Sequence, residues 1–230
     1  MELCSNMNKD IAVIFDFNGT CIFDGEFHDK AWKTYIEELT SGNVSDDEVK
    51  DYIIGKTAKE ILEYFLGYEL NDNMVNQLSE EKERIYRIML AKADVGLAPG
   101  LEEFLNYLSL AKVKRTIATT ANLDNMNYYF ERYNLERWFK WEEVVIGMGN
   151  IPLKPHPGLY LAAMKKLDMP AEKIVVFEDS ESGVTAAEAA GIRHIIAITG
   201  DSRRNDLINH KGVIASVEDF SHLGEIDFKI

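Results

Sequence analysis

Between Ile11 and Phe15 the chain reads IAVIF, an unbroken apolar run that turns abruptly polar in DFNGT. So short a run, with no polar position in it, has no solvated face and reads as a strand buried on both sides. Strands of that kind belong to parallel sheets with helices packed on both faces. Similar runs recur at Arg115–Thr119 (RTIAT), Glu143–Gly147 (EVVIG), Ile174–Phe177 (IVVF), His194–Ile198 (HIIAI) and Gly212–Ser216 (GVIAS). Between them lie apolar residues at helical spacing: Leu101/Phe104/Leu105/Leu108, Leu159/Ala162/Ala163/Leu167, and the alanine-rich Thr185–Ala190 closed by Gly191. This alternation predicts an α/β fold: a doubly wound, Rossmann-like parallel sheet with right-handed crossovers.

One interval breaks the rhythm. From Asp24 to Leu97 there is no convincing strand, only helix-like patterns at Trp32/Ile36/Leu39, Ile53/Ile54, Ile61/Leu62/Tyr64/Phe65 and Ile85/Ile88/Met89. An all-helical cap at 24–97 is therefore expected, inserted after the first strand of a core made of 1–23 and 98–230 and rejoining it at Pro99-Gly100. With 25 basic and 39 acidic residues the formal net charge is −14, which repels nucleic-acid backbones and anionic lipid. No apolar stretch approaches the roughly 18 residues a membrane span needs. The first ten residues lack the pattern of a secretory signal, and Cys4 and Cys21 cannot build a disulfide scaffold. A cytoplasmic protein without nucleic-acid or membrane partners is expected, as a monomer, with a dimer as the alternative.

In an open parallel sheet, ligands bind at the carboxyl edge of the strands, where strand order reverses. The residues that reach that edge here are Asp16 and Asn18 after the first strand, Thr119 after the second, and Glu178 and Asp179 after the fourth, with Lys154 on a loop before a helix. Taken singly, each has an ordinary explanation: a turn-forming Asp, a capping Thr, a first-turn Glu, a solvated Lys. Together, three acids, a lysine, a hydroxyl and an amide describe a site for a divalent cation and an anion. Mg²⁺ takes oxygen ligands, commonly one or two carboxylates with waters and substrate phosphate oxygens, and Asp16 and Asp179 are the natural pair.

These motifs resemble the haloacid dehalogenase superfamily, in particular its β-phosphoglucomutase-like branch, over nearly the whole chain. FDFNGT (Phe15–Thr20) is similar to the first family motif, TIATT (Thr116–Thr120) to the second, LKPHPGLY (Leu153–Tyr160) to the third and VVFEDSESGVTAAEAAG (Val175–Gly191) to the fourth. DGEFHDKAW (Asp24–Trp32) looks like the start of the branch's helical cap, and GKTAKEIL (Gly55–Leu62) like its substrate-facing loop. The resemblance implies an Mg²⁺-dependent hydrolase of a small phosphorylated metabolite. Asp16 would be nucleophile and metal ligand, Thr119 and Lys154 would hold the phosphoryl oxygens, and Asp179 would complete the metal site together with the Asn18 carbonyl. Glu178 would be a further ligand or would orient Lys154. His28, Trp32, Gly55, Lys56, Lys59, Thr120 and Ala121 would line the substrate site.

Asn18 departs from the pattern, in which an Asp at this position protonates the leaving oxygen and then deprotonates the attacking water. An amide can do neither, and general acid/base help is commonly worth ~10²–10⁴ in rate. Three explanations compete: a leaving group that needs little protonation, such as an acyl phosphate; substitution by another group, with His28 the candidate; or a deliberate Asp→Asn change that traps substrate. Other functional readings are a phosphomutase, disfavoured because Ala58 stands where that pattern has an arginine; a phosphonate-cleaving enzyme using Lys56 or Lys59; and a weakened phosphometabolite-binding protein.

Overall fold

The structure is a computed structural model that describes residues 10–149, 151–201 and 207–225; Cys4 and the rest of the stretch before Asp10 lie outside the described residues. The described residues up to Phe23 and from Gly96 onward form one compact unit, and Asp24–Val95 form another. No helix among the described residues is long and apolar enough to cross a membrane.

The chain begins with β1 (Ala12–Phe15) and then enters the inserted unit, with α1 (Gly25–Thr40), α2 (Asp46–Tyr52), α3 (Ala58–Leu66) and α4 (Asp72–Lys92). The core resumes with α5 (Leu101–Leu110), β2 (Lys114–Thr119), α6 (Leu123–Tyr133), β3 (Val145–Ile146), α7 (Gly158–Leu167), β4 (Ile174–Glu178), α8 (Glu181–Ala189), β5 (His194–Ile198) and β6 (Val213–Val217). Among the described residues the sheet has six strands, all parallel, in the order β3-β2-β1-β4-β5-β6.

Side chains alternate between the two faces of a sheet, and each face has its own core. On one face Phe15, Phe104, Phe139, Phe177 and Phe220 form an aromatic cluster, with Phe15 stacked on Phe177 at 5.3 Å and Phe104 edge-on to Phe177 at 5.4 Å. On the other, Ala12, Ile14 and Val176 pack with Leu159, Tyr160 and Ala163 of α7 and Val184 and Ala187 of α8. Since Ile14 pairs with Val176 in register, Asp16 and Glu178, two residues further along, belong to this second face.

Two sequence expectations need correction. The EVVIG run yields only the short strand Val145–Ile146, because Trp141–Glu143 coils into a 3-10 turn and β3 is an edge strand whose described pairs are with Ala118 and Thr119 alone. Glu178, expected just past its strand, is the last residue of β4, opposite Ala197, and fully buried. A carboxylate tolerates that position only where donors surround it.

The inserted unit has its own core of Trp32, Tyr35, Ile36, Val44, Ile53, Ile61, Leu62 and Leu70. Ser45-Glu48 and Thr57-Glu60 are reciprocal capping boxes that start α2 and α3. The Ile85/Ile88/Met89 pattern falls within α4, where Lys82, Tyr86 and Leu90 are buried, Ile85 packs partly buried against this core and Ile88 is exposed. Just outside this unit, the Ala98 amide donates to the Cys21 carbonyl at 2.8 Å, so the core closes on itself beside the insertion.

Replacing Phe104 by Ala removes a fully buried ring from the aromatic cluster. The expected cost is about 3–5 kcal/mol, as for other Phe→Ala cavities, measured by urea unfolding. A loss below about 1 kcal/mol would mean that the cluster collapses around the gap.

Candidate active site

The strand order reverses at β1: the chain builds β2 and β3 on one side of it, then β4, β5 and β6 on the other. The carboxyl ends of β1, β2 and β4 therefore meet at the switch point, the usual ligand crevice of such a sheet. Asp16 follows β1, and its amide is held by the Phe177 carbonyl at 3.0 Å. Thr119 closes β2, and Glu178 closes β4 with Asp179 next to it.

Lys154 joins these ends. Its side chain is 4% exposed, and its ammonium donates to Asp16 Oδ1 and, at 2.5 Å, to Glu178 Oε1. The Tyr160 hydroxyl donates to the same Glu178 oxygen at 3.0 Å, and the Tyr160 ring centre lies 5.3 Å from the Lys154 nitrogen. The other Glu178 oxygen accepts from the amides of Asp179 and Ser180, each at 2.9 Å, and from the Ser180 hydroxyl at 3.0 Å. A carboxylate offers about four lone-pair sites, so these donors occupy Glu178 fully.

Two glycines make room for the acids. A Cβ at Gly183 would lie 1.6 Å from Glu178 Oε1, and one at Gly19, where φ is +77°, would lie 2.2 Å from Asp179 Oδ2. Asp179 also accepts from the Thr20 hydroxyl at 3.4 Å. One oxygen from each of Asp16, Glu178 and Asp179 can be chosen so that all lie within 4.8 Å of one another.

This crowding sets the protonation of each group. Burial works against the Lys154 charge, but Asp16 and Glu178 outweigh it and hold its pKa well above the usual lysine value. Burial also opposes ionisation of Glu178, yet the Lys154 ammonium and Ser180 keep its pKa low. Asp179 has less support: burial, then the charges of Glu178 and Asp16, push its pKa well up. A cluster of hard oxygen donors with one carboxylate short of positive charge is a fit for a hard divalent cation.

Asn18 stands at the same edge, its amide donating to the Tyr129 hydroxyl of α6 at 2.8 Å, while the Tyr129 ring stacks on Phe17 at 4.7 Å. The Thr119 hydroxyl is buried and accepts from the Ala121 amide at 3.0 Å. Thr120 is exposed and Ala121 partly buried, just ahead of the Asn122 cap that starts α6.

The remaining expected residues belong to the inserted unit. Gly55 and Lys56 are exposed in the turn before α3. Lys59 is exposed on α3 and faces Glu63 at 3.7 Å. The GKTAKE segment thus owes its pattern partly to the Thr57 capping box. His28 and Trp32, on α1, take part in a buried polar network that the sequence did not reveal. The Lys82 ammonium, with a side chain 3% exposed, lies 2.7 Å from His28 Nδ1, 2.7 Å from Glu83 Oε1 and 5.2 Å from the Trp32 ring centre. His28 Nε2 lies 3.3 Å from buried Asp24, which also accepts from the Tyr86 hydroxyl, and His28 stacks on Tyr86 at 3.9 Å. The available signal was a lysine in the apolar stripe of α4, after Val75 and Leu78 and before Tyr86. Tyr160 and Tyr129 were also missed, and a buried phenol has no signature in one sequence.

The family model described as haloacid dehalogenase-like hydrolase matches residues 13–197, spanning β1 to β5. The chain belongs to that family. It lies in the β-phosphoglucomutase-like branch and is an enzyme of the hydrolase class. It is 28% identical over 211 residues to a phosphorylated carbohydrates phosphatase of Thermotoga maritima, covering 90% of this chain and 94% of the relative. It is 25% identical over 189 residues to the β-phosphoglucomutase of Bacillus subtilis, covering 79% and 80%. A crystal structure of a haloacid dehalogenase hydrolase, family IA, variant 3, from Entamoeba histolytica superposes with a TM-score of 0.87 at 34% identity, covering 95% of this chain and 96% of that one.

The raised pKa of Asp179 has a stability consequence. A carboxyl that holds its proton more tightly folded than unfolded costs stability as pH rises above its unfolded pKa of about 3.9. Without a divalent cation, this group is expected to lower the melting temperature relative to Asp179→Asn as pH rises through that window, against the opposite slope from Glu178, and Mg²⁺ should offset the loss by favouring the ionised form. Asp179→Asn should remove this component and most of the Mg²⁺ effect in thermal unfolding. An equal Mg²⁺ stabilisation in the variant would assign the cation elsewhere.

Proposed function

We propose that this hydrolase is an Mg²⁺-dependent phosphohydrolase of a small phosphorylated metabolite, acting through an aspartyl-phosphate on Asp16. The observation that carries the reading is the Asp16 carboxylate at the sheet switch point, bonded to a buried lysine and surrounded by further acids. Asp16 would attack phosphorus. The Lys154 ammonium and the Thr119 hydroxyl would neutralise and orient the phosphoryl oxygens, whose spread charge is what such a site must stabilise. Glu178, with its oxygens taken by Lys154, Tyr160 and backbone donors, would set the position of Lys154. Asp16, Asp179 and the Asn18 carbonyl would hold Mg²⁺, which when bound supplies positive charge to the phosphoryl group. Thr120 and Ala121 would border the phosphoryl site. His28, Trp32, Gly55, Lys56 and Lys59 would serve substrate selection from the inserted unit.

The phosphatase name of the Thermotoga relative supports this reading. Against phosphomutase, Ala58 lies in a capping box and Lys59 already faces Glu63, so the segment offers no arginine for a second phosphate. A cytoplasmic setting is part of the same proposal.

Asp16→Ala is expected to abolish Mg²⁺-dependent release of phosphate from a panel of phosphorylated metabolites, with the circular-dichroism spectrum unchanged. Turnover in that variant would reject the nucleophile.

A further inference from the structure

The proton inventory of the site separates one class of leaving group from another. The side chain at position 18 is an amide, with no proton to give near neutral pH. It is not a loose substitute, because the buried Tyr129 hydroxyl accepts its N–H at 2.8 Å and the Tyr129 ring supports the preceding Phe17. The lysine, phenol and thiol that the same unit brings to this edge are committed. The Lys154 ammonium serves Asp16 and Glu178, and the Tyr160 hydroxyl serves Glu178. The Cys21 thiol donates to the Asp16 carbonyl at 3.1 Å.

The inserted unit does not offer His28 freely either. The Lys82 ammonium can only donate, so His28 Nδ1 accepts from it, and Nε2 carries the hydrogen that faces Asp24. Both ring nitrogens are in use, and Asp24 is further held by Tyr86.

We infer that the site is matched to phosphoryl donors whose leaving group departs as a stable anion, namely acyl phosphates and phosphoric anhydrides, in preference to alkyl phosphate esters. This rests on the phosphohydrolase reading above. A carboxylate leaving group has a conjugate-acid pKa of about 4. A phosphate has a second pKa of about 6. An alcohol is nearly as weak an acid as water, at about 15.7, and its alkoxide needs the proton that Asn18 lacks.

The steps balance without an added acid. An Asp16 oxygen forms a bond to phosphorus as the bond from phosphorus to the leaving oxygen breaks, and the electron pair departs with the leaving anion. Water then adds to phosphorus, and the bond to Asp16 breaks with its pair returned to the carboxylate. Both water protons end on phosphate oxygens, giving dihydrogen phosphate.

The test compares acetyl phosphate with glycerol 1-phosphate and glucose 6-phosphate, for the natural chain, Asn18→Asp and Asp16→Ala, each with Mg²⁺. A phenol can donate to a carboxylate as readily as it accepts from an amide, so Asn18→Asp should keep its tie to Tyr129, and circular dichroism checks the fold. For the natural chain, kcat/KM for acetyl phosphate, corrected for Asp16→Ala, should exceed that for either ester by at least ~100-fold. In Asn18→Asp the ratio of ester to acetyl phosphate turnover should rise by ~10²–10⁴. Ester turnover within about tenfold of acetyl phosphate in the natural chain would overturn the inference. So would esters cleaved by Asn18→Asp while the natural chain cleaves nothing. If neither form cleaves any of the three, the phosphohydrolase reading itself falls.

Discussion

A buried lysine held between two acids organises this hydrolase. Lys154 reaches from the loop before α7 to Asp16 on β1 and Glu178 on β4, so one ammonium ties three distant segments to a single point at the sheet edge. Taking such charges out of water is costly, and the cost is met only where geometry is good and the remaining lone pairs are filled. Glu178 shows how: its second oxygen takes the first amides of the turn into α8, and Tyr160 completes the first. The glycine at 183 follows from the same requirement, because any side chain there would occupy the space of the carboxylate. A change that loosens Glu178 also moves the ammonium that faces Asp16.

Much of this could be read from the linear chain for a simple reason. In a parallel sheet buried on both faces, the strand is an apolar run and the candidate site residue is a polar one just after it, as with Asp16 after IAVIF and Asp179 after IVVFE. Interactions created only by tertiary approach were hidden. Tyr160 and Tyr129 read as helix residues of no special chemistry until their hydroxyls meet Glu178 and Asn18. Lys82 lies among apolar positions of α4, where a lysine is ordinarily assigned to solvent. The third strand is shorter than its apolar run because an edge position needs few residues to pair.

Asn18 illustrates why a family pattern has to be weighed against the particular neighbourhood. An amide in place of a carboxylate removes a proton donor, but the phenol beside it can meet either group. The hydrogen bond from Asn18 to Tyr129 shows how the amide is seated at the sheet edge. The His28–Lys82 pair in the inserted unit likewise turns an apparent spare histidine into a committed one.

The short hydrogen bond between Ala98 and Cys21 has a wider meaning. It brings the entry and exit of the helical insertion together on the core side, as at a single doorway. An element attached in this way can lengthen, shrink or be exchanged for another without redrawing the sheet, since the ends to be joined are already neighbours.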